Sequence, residues 1–446
     1  MRKNMSLQPV QILAIGFGLI IFIGGLILST PLCSRSGDWT PFINGLLTST
    51  SATCVTGLAT YDTYTHFNFF GQLIIILLIQ IGGLGFMGFA MSFSFISGNK
   101  ITLFQRTLLM ESLGSNHVGG VVRMIKRMLL GTAIFEIVGA LLMSLVFVPK
   151  LGVFNGIWSG IFTSISAFCN AGFDLNGQLS PGSSMTLFYN SPVVLITIMV
   201  LITTGGIGFI VWSDICDHKL NFRKYALHSK IMLSFTALLI LVGAILFLIM
   251  ESGHSFANMS TGDKVLNAFF ASVTPRTAGF NTVNYIDMTT AGRFVTIILM
   301  VIGAGTGSTG GGLKVTTFVT LILALYSQTK NYQDLSIFKR RLQRSAQKDA
   351  SSSFASYAGL IIVITFLLLM ANPGETAESC IFESVSALST VGLTMGLTAA
   401  AGWCSKLCLI FLMYMGRLGS IAVAMAFIKK NVIPKISYPE EKITIG

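Results

Sequence analysis

The stretch SATCVTGL, residues 51–58, decides how this chain folds. It is small, partly polar and ends near a glycine, yet it lies between two apolar runs. Similar stretches follow as SAFCNAGF (166–173), TPRTAGF (274–280) and SALSTVGL (386–393). One glycine between apolar runs reads as close helix packing of the small-xxx-small kind. Four at matched positions read as a repeated unit.

Working outward, each copy follows an apolar run at about 9–30, 128–148, 230–250 and 353–372. Between run and glycine lies a segment too short to cross a bilayer: 39–53, 156–168, 263–274 and 377–389. These segments have helical spacing of apolar residues and helix-start signals such as Asp263 and Glu378. A second apolar run follows each glycine, at about 69–97, 191–213, 291–328 and 403–428. The economical reading is helix, re-entrant half-helix, loop, helix, repeated four times.

The predicted fold is an all-α polytopic membrane protein. Eight full transmembrane helices and four re-entrant half-helices surround a central pore. The four units divide the chain at 1–98, 99–214 (with a preceding cytoplasmic segment), 215–328 (with a glycine-rich loop at 303–313) and 329–446 (with a C-terminal tail). An even number of spans per unit makes the units parallel, with their symmetry axis along the membrane normal.

Composition agrees. Only 10% of the 446 residues are charged and 52% are apolar, where a soluble chain carries roughly 25% charged. Several nearly uncharged runs exceed the roughly 18 residues that cross a hydrocarbon core. The net charge of +12 is no nucleic-acid footprint, because its basic residues gather at 2–3, 100–127, 219–230, 330–348 and 429–442. That alternation puts both termini and the basic blocks in the cytoplasm. The first helix reads as an uncleaved signal-anchor. Seven cysteines show no metal-ligand spacing and suggest no disulfide framework.

Irregular backbone at membrane depth is tolerated where it lines a cavity or is buried in protein. A ring of such loops presents carbonyl oxygens that replace the hydration shell of a potassium-sized ion. Glycine permits the positive φ that such a turn needs. Thr56, Asn170, Thr277 and Thr390 can brace the loops by hydrogen bonding. Helix C-termini aimed at the axis favour a cation. No acidic ring is present, which disfavours calcium-type selectivity. Clustered carboxylates or histidines at a membrane face would suit a membrane enzyme, such as a lipid-linked sugar transferase, but none occurs. An assembly scaffold would leave the loops without purpose.

These motifs, SATxVTGLA, SAFxNAGF, TPRTAGFN and SAxxTVGLTMGLT, resemble the KtrB family. KtrB proteins are the ion-conducting subunits of bacterial Ktr potassium-uptake systems, in the Trk/Ktr/HKT superfamily. The resemblance covers essentially the whole chain. It implies a potassium filter with one glycine per repeat, carried here by Gly57, Gly172, Gly279 and Gly392. The filter triplets are then Val55–Thr56–Gly57, Asn170–Ala171–Gly172, Thr277–Ala278–Gly279 and Thr390–Val391–Gly392. Relatives that pass sodium often replace the first glycine by serine, so this chain resembles the potassium-selective branch. A sodium-permeable or proton-coupled Trk-like transporter is the alternative. Cys54 and Cys169, three before their glycines, depart from the family's more polar residues. They either pack behind the loop or face the ion.

The run GAGTGSTGGGLKVTT (303–317) interrupts the second helix of the third repeat. Gly305-x-Gly307-x-x-Gly310 matches one nucleotide-binding pattern and Gly307 to Lys314 nearly matches a phosphate loop, but the preceding membrane helix and the extra Leu313 argue against them. Gly305, Gly307, Gly310, Gly311 and Gly312 suit a movable barrier, since small residues absorb the dihedral changes of a hinge. Arg417, mid-helix in the last span, is either an obstacle under the filter held by that loop or a carbonyl-bonded arginine at a helix contact. Lys314 either serves similarly or reaches the cytoplasmic face. Arg276 is expected to tie down its half-helix through Glu383 or Asp174. The resemblance further implies a glycine-loop gate with an arginine, sodium dependence, a homodimer and an octameric cytosolic KtrA-type RCK ring. Any nucleotide would sit on that ring, and this chain would carry no cofactor. The expected location is the bacterial cytoplasmic membrane.

Overall fold

The computed structural model describes residues 9–85, 88–89, 121–219, 221–332, 334–343 and 345–419. Most of the cytoplasmic segment at 99–127 and the C-terminal tail lie outside the described residues. Both ends of the chain do too, so the reading of their side of the membrane falls there.

One succession occurs four times. A long apolar helix opens each unit: α1 (Pro9–Leu28), α4 (Val121–Leu151), α8 (Leu227–Glu251) and α12 (Ser345–Ala371). Each is long and apolar enough to span a bilayer. Their outer faces carry bare aliphatics such as Leu145, Ile249 and Ile362, about 70% exposed, as lipid-facing helices do. A short helix follows in each unit: α2 (Phe42–Thr53), α5 (Val153–Phe168), α9 (Thr261–Val273) and α13 (Ala377–Leu388). Side-chain caps start two of them, with Ser260 and Thr376 accepting from the amides of Asp263 and Ser379.

Small residues let the short helices lie against the long ones. In three units a glycine of the long helix faces a serine of the short one: Gly24 and Ser49, Gly139 and Ser164, Gly243 and Ser272. Each serine hydroxyl then donates to a long-helix carbonyl, of Ile21 (2.8 Å), Glu136 (2.7 Å) and Ile240 (2.9 Å). Close approach and a buried hydrogen bond in an apolar medium reinforce one another.

The second runs predicted at 69–97, 191–213 and 403–428 are each broken at a glycine, and the remainders at 90–97 and 420–428 lie outside the described residues. Helix α3 (Phe69–Leu84) ends at Gly85. Helix α6 (Pro192–Gly206) breaks at Gly208 and bends by 93° into α7 (Phe209–His218). In the third unit α10 (Thr290–Val301) and α11 (Val315–Thr329) flank the predicted interruption, while α14 (Trp403–Leu418) ends at Gly419. Gly85, Gly208 and Gly419 all have positive φ, which stops a right-handed helix. The breaks come where the second helices meet the short ones. A Cβ at Gly82, Gly205 or Gly416 would strike the carbonyl oxygen of Thr53, Phe168 or Leu388 respectively. The described sheet is one small hairpin, β1 (Ser336–Ile337) with β2 (Arg340–Arg341).

Candidate functional site: a glycine ring over a carbonyl-bound arginine

The short helices all end at the molecular centre, and their following loops share one conformation. Val55, Asn170, Thr277 and Thr390 have φ of 58°, 60°, 76° and 52°; the glycines two residues later have φ of 100°, 71°, 79° and 90°. The intervening residues, Thr56, Ala171, Ala278 and Val391, do not. This alternation turns successive carbonyls toward one side, where an extended strand would point them alternately. A left-handed non-glycine residue costs ~1–3 kcal/mol, and β-branched Val55 and the threonines are the poorest candidates for it. Four such residues in one register mark a geometry that the surrounding structure enforces.

The glycines meet around an axis. A Cβ at Gly57 would lie 2.7 Å from the Ala171 oxygen, and one at Gly172 2.7 Å from the Ala278 oxygen. At Gly279 it would strike the Val391 oxygen, and at Gly392 the Thr56 oxygen. Each loop therefore abuts the carbonyl of the next unit, and the fourth closes on the first. No side chain fits inside.

Short-range bonds hold the loops. Ser51, Ser166 and Ser386 accept through their carbonyls from the amides of Thr56 (2.8 Å), Ala171 (2.7 Å) and Val391 (2.9 Å). The Ser51 and Ser386 hydroxyls also accept from Gly57 and Gly392, at 2.9 and 3.1 Å. The third loop has Val273 in this place and relies on the Thr274 carbonyl, 3.0 Å from the Ala278 amide. The bracing expected of the ring residues is partial. The Asn170 amide and Thr277 hydroxyl are bonded at 2.9 Å, and Thr390 Oγ1 accepts from Gly311 N at 3.0 Å. The Thr56 hydroxyl is buried without a hydrogen-bond partner. It sits one residue out of register with the other three.

Residues three before each glycine point away from the ring. Cys54 is wholly buried among apolar neighbours, and Cys169 contacts Gln80 and Glu136. Ser389 is bonded to the Tyr357 hydroxyl. Arg276 donates to the Thr236 hydroxyl at 3.1 Å, not to Glu383 or Asp174 as expected. Glu383 instead accepts from Thr394 and Thr398, and Asp174 from the Asn176 amide.

One side of the ring is open. A cavity of about 250 Å³ is lined by the four glycines, Thr60, Asn281, Thr394, Asp62 and Asp174. Asp62 accepts from the Tyr64, Thr65 and Gly182 amides at 2.9–3.0 Å. Asp174 lies in a loop outside the membrane helices; burial pushes its carboxyl up to about 6, against the Asn176 amide that holds it down.

The other side is plugged by residues 302–314. Ile302 and Leu313 pair at the neck of this loop, where Gly303 N donates to Leu313 O at 2.9 Å. Gly305 N donates to Gly206 O (2.8 Å), and Gly307 O accepts from Phe209 N (2.8 Å), seating the loop on the α6–α7 break. Gly310 backs onto the Thr277 hydroxyl, and Gly312 onto Ser389. The loop thus passes beneath the second, third and fourth ring segments. Arg417 donates to the carbonyls of Thr309 and Gly82, and to Gly83 O at 3.4 Å. It joins the plug to the end of α3. Lys314 turns back on its own loop, donating to Gly310 O (2.9 Å) and Gly311 O (3.4 Å).

Reading the sequence alone missed Gly82, Gly205 and Gly416, which make this seat. The signal was present in IGGLGF (81–86) and IGF after TGG (204–209), two near-copies at corresponding places.

Comparison with known proteins agrees with this architecture. Residues 22–437 match the family described as TrkH: Cation transport protein. The chain is 40% identical to the potassium/sodium uptake protein NtpJ of Enterococcus hirae, over all of this chain and 99% of that protein. It is 36% identical to Ktr system potassium uptake protein B of Bacillus subtilis, over all of this chain and 98% of the relative. Among solved structures, the potassium transporter TrkH from Vibrio parahaemolyticus superposes with a TM-score of 0.74 at 18% identity. That match covers 96% of this chain and 86% of the other, and shows a shared fold.

Proposed function

The chain belongs to the TrkH family of cation transport proteins, transporters and not enzymes, and from that premise we propose that it carries potassium through the glycine ring. The observation that carries this reading is the closed succession of left-handed loops, each abutting its neighbour's carbonyl. A hydrated monovalent cation exchanges its water for main-chain oxygens there. The ring carbonyls of Val55, Thr56, Asn170, Ala171, Thr277, Ala278, Thr390 and Val391 supply them, with Gly57, Gly172, Gly279 and Gly392 keeping the axis free. Asp62 and Asp174 raise the local cation concentration at the open mouth, which faces outward in this reading.

The loop carrying Gly305, Gly307, Gly310, Gly311 and Gly312 is the gate, latched by Arg417, while Lys314 stiffens it. Its charge opposes a cation leaving the ring, so conduction requires the loop and the arginine to move aside. Two relatives are named as protein B of a Ktr system, which supports a further component. We assign that role to an octameric cytosolic RCK ring, docked on a homodimer of this chain in the bacterial cytoplasmic membrane, with sodium as coupling ion. The four repeats would be the functional quarters of one pore.

A potassium/sodium uptake protein among the relatives keeps a sodium-permeable path as the second reading. Uptake in a potassium-uptake-deficient bacterium separates the two. We expect growth at low potassium, preference for potassium over sodium, and loss of that preference in Gly57→Ser. Growth without preference favours the second reading; an unchanged preference in the variant contradicts the filter assignment.

A further inference from the structure

Among the described residues, Glu251, Glu383 and Glu136 are acids buried or half-buried in the apolar helices away from a helix start, and one is unlike the others. Glu251 accepts from Thr289 N (3.1 Å), Thr289 Oγ1 (2.6 Å) and Ser255 Oγ (2.8 Å), and fastens the start of α10. Glu383 accepts three bonds from Thr394 and Thr398 and fastens the last ring loop. Both are well satisfied, as buried carboxylates must be. Glu136, in mid-α4, has weaker company. Gln80 Nε2 donates to it at 3.3 Å, and the Cys169 thiol approaches at 4.0 Å. An acid kept in a bilayer with so little local stabilisation is a candidate for function rather than fold.

Its two partners join the two halves of the site. Cys169 caps α5 and precedes Asn170, the strained residue of the second ring segment. Its thiol donates to Gln80 Oε1 at 3.5 Å. Gln80 stands on α3, two and three residues before Gly82 and Gly83, whose carbonyls accept from Arg417. Gly83 also packs directly on the Cys169 side chain. The amide of Gln80 therefore faces Glu136 with its nitrogen and the Cys169 thiol behind the ring with its oxygen, while its helix holds the latch. The backbone of Glu136 is itself fixed, because its carbonyl accepts from Ser164 Oγ on α5.

We propose that Glu136 is a positioning residue which, through Gln80 and Cys169, sets the second ring segment relative to the Arg417 latch and so tunes ion preference. This rests on the ring being the ion path. By orienting the Gln80 amide, Glu136 keeps the thiol bonded on the far side of the loop, so the Asn170 carbonyl stays at its place on the axis. Losing that orientation lets one of four segments relax, which weakens discrimination between ions of different radius without closing the path.

The test compares Glu136→Leu, Gln80→Leu, the double variant and Glu136→Gln in the full-length protein in liposomes, with potassium and sodium uptake measured separately. Each leucine variant should lower the potassium-over-sodium preference about threefold to tenfold, the worth of one hydrogen bond. The double should be no worse than either single, since both cut one relay. Glu136→Gln, which can still accept from Gln80, should recover most of the preference. A purely structural residue would lower both fluxes together, and that result, an unchanged ratio or additive losses would overturn the proposal. If the leucine variants do not accumulate, Cys169→Ala, which deletes only the thiol, should shift the ratio the same way; no shift overturns it. A wild-type protein without potassium preference would instead contradict the filter reading itself.

Discussion

The ring and the plug beneath it are both irregular backbone in the membrane interior, yet they are fastened in opposite ways. Each ring loop is tied to the end of its own short helix, by bonds spanning four to six residues such as Thr274 to Ala278 and Ser386 to Val391 and Gly392. The plug is tied to distant parts: Thr309 to Phe168, Gly311 to Thr390, and Arg417 to Thr309 and Gly82. Local bonds form and persist with their element. Bonds between elements break whenever those elements separate. The first arrangement suits a rigid gauge and the second a removable stopper.

Substitutions can break that contrast. The largest effect belongs to Gly392→Ala, whose methyl would enter the Thr56 carbonyl at a φ of 90°. Potassium uptake should fall at least roughly a hundredfold, beyond the worth of a single bond, because the obstruction lies on the axis. Uptake within a few-fold of wild type would show that the ring is wider than described. Next comes Arg417→Ala, which frees the plug from α3. Rubidium flux into liposomes should rise about threefold to tenfold with the fold intact, and an unaltered flux would dispose of the latch.

A smaller effect sharpens the comparison inside the ring. Ser386→Ala removes the hydroxyl that accepts from Gly392 N, leaving the fourth loop like the third, which already has Val273 there. Preference for potassium over sodium should fall about twofold to fivefold, read from competition between the two ions. An equal effect of Val273→Ala would show the serines to be incidental. Smallest is a dependence on external pH. Asp174 is charged above about 6 and neutral below. Uptake at low potassium should therefore fall by no more than about twofold to threefold as pH drops from 7.5 to 5. Asp174→Asn should be already low at pH 7.5 and flat; a wild-type response surviving in that variant would place the titration elsewhere.

The contrast also explains what could be read from the residues alone. Gly57, Gly172, Gly279 and Gly392 were legible because a position that no side chain fits admits glycine alone, and the pattern recurs in register. The long helices were legible from their unbroken apolar runs. The strain at Val55 was not, since nothing in valine announces a left-handed backbone and only the neighbouring loops impose it. Thr56 reads as a brace because its chemistry resembles that of Thr277 and Thr390, although Val55 is their true counterpart. The loop that holds Arg417 was legible, but the individual atoms it bonds were hidden for a general reason. They are carbonyl oxygens, which every residue carries, so composition cannot point to them. Arg276 shows the same blindness in reverse: two carboxylates were the obvious partners, and a threonine on the adjacent long helix is the actual one. Short glycine runs at 82–85 and 205–208 are visible in the sequence, but their residue types do not separate a helix break from ordinary helix packing.

The account stands on main-chain oxygens of the four loops binding a dehydrated monovalent cation. Anomalous diffraction from crystals grown in rubidium tests it most directly. It should place a peak on the axis, level with the carbonyls of Thr56, Ala171, Ala278 and Val391. Peaks confined to the carboxylates of Asp62 and Asp174, with none inside the ring, would contradict it.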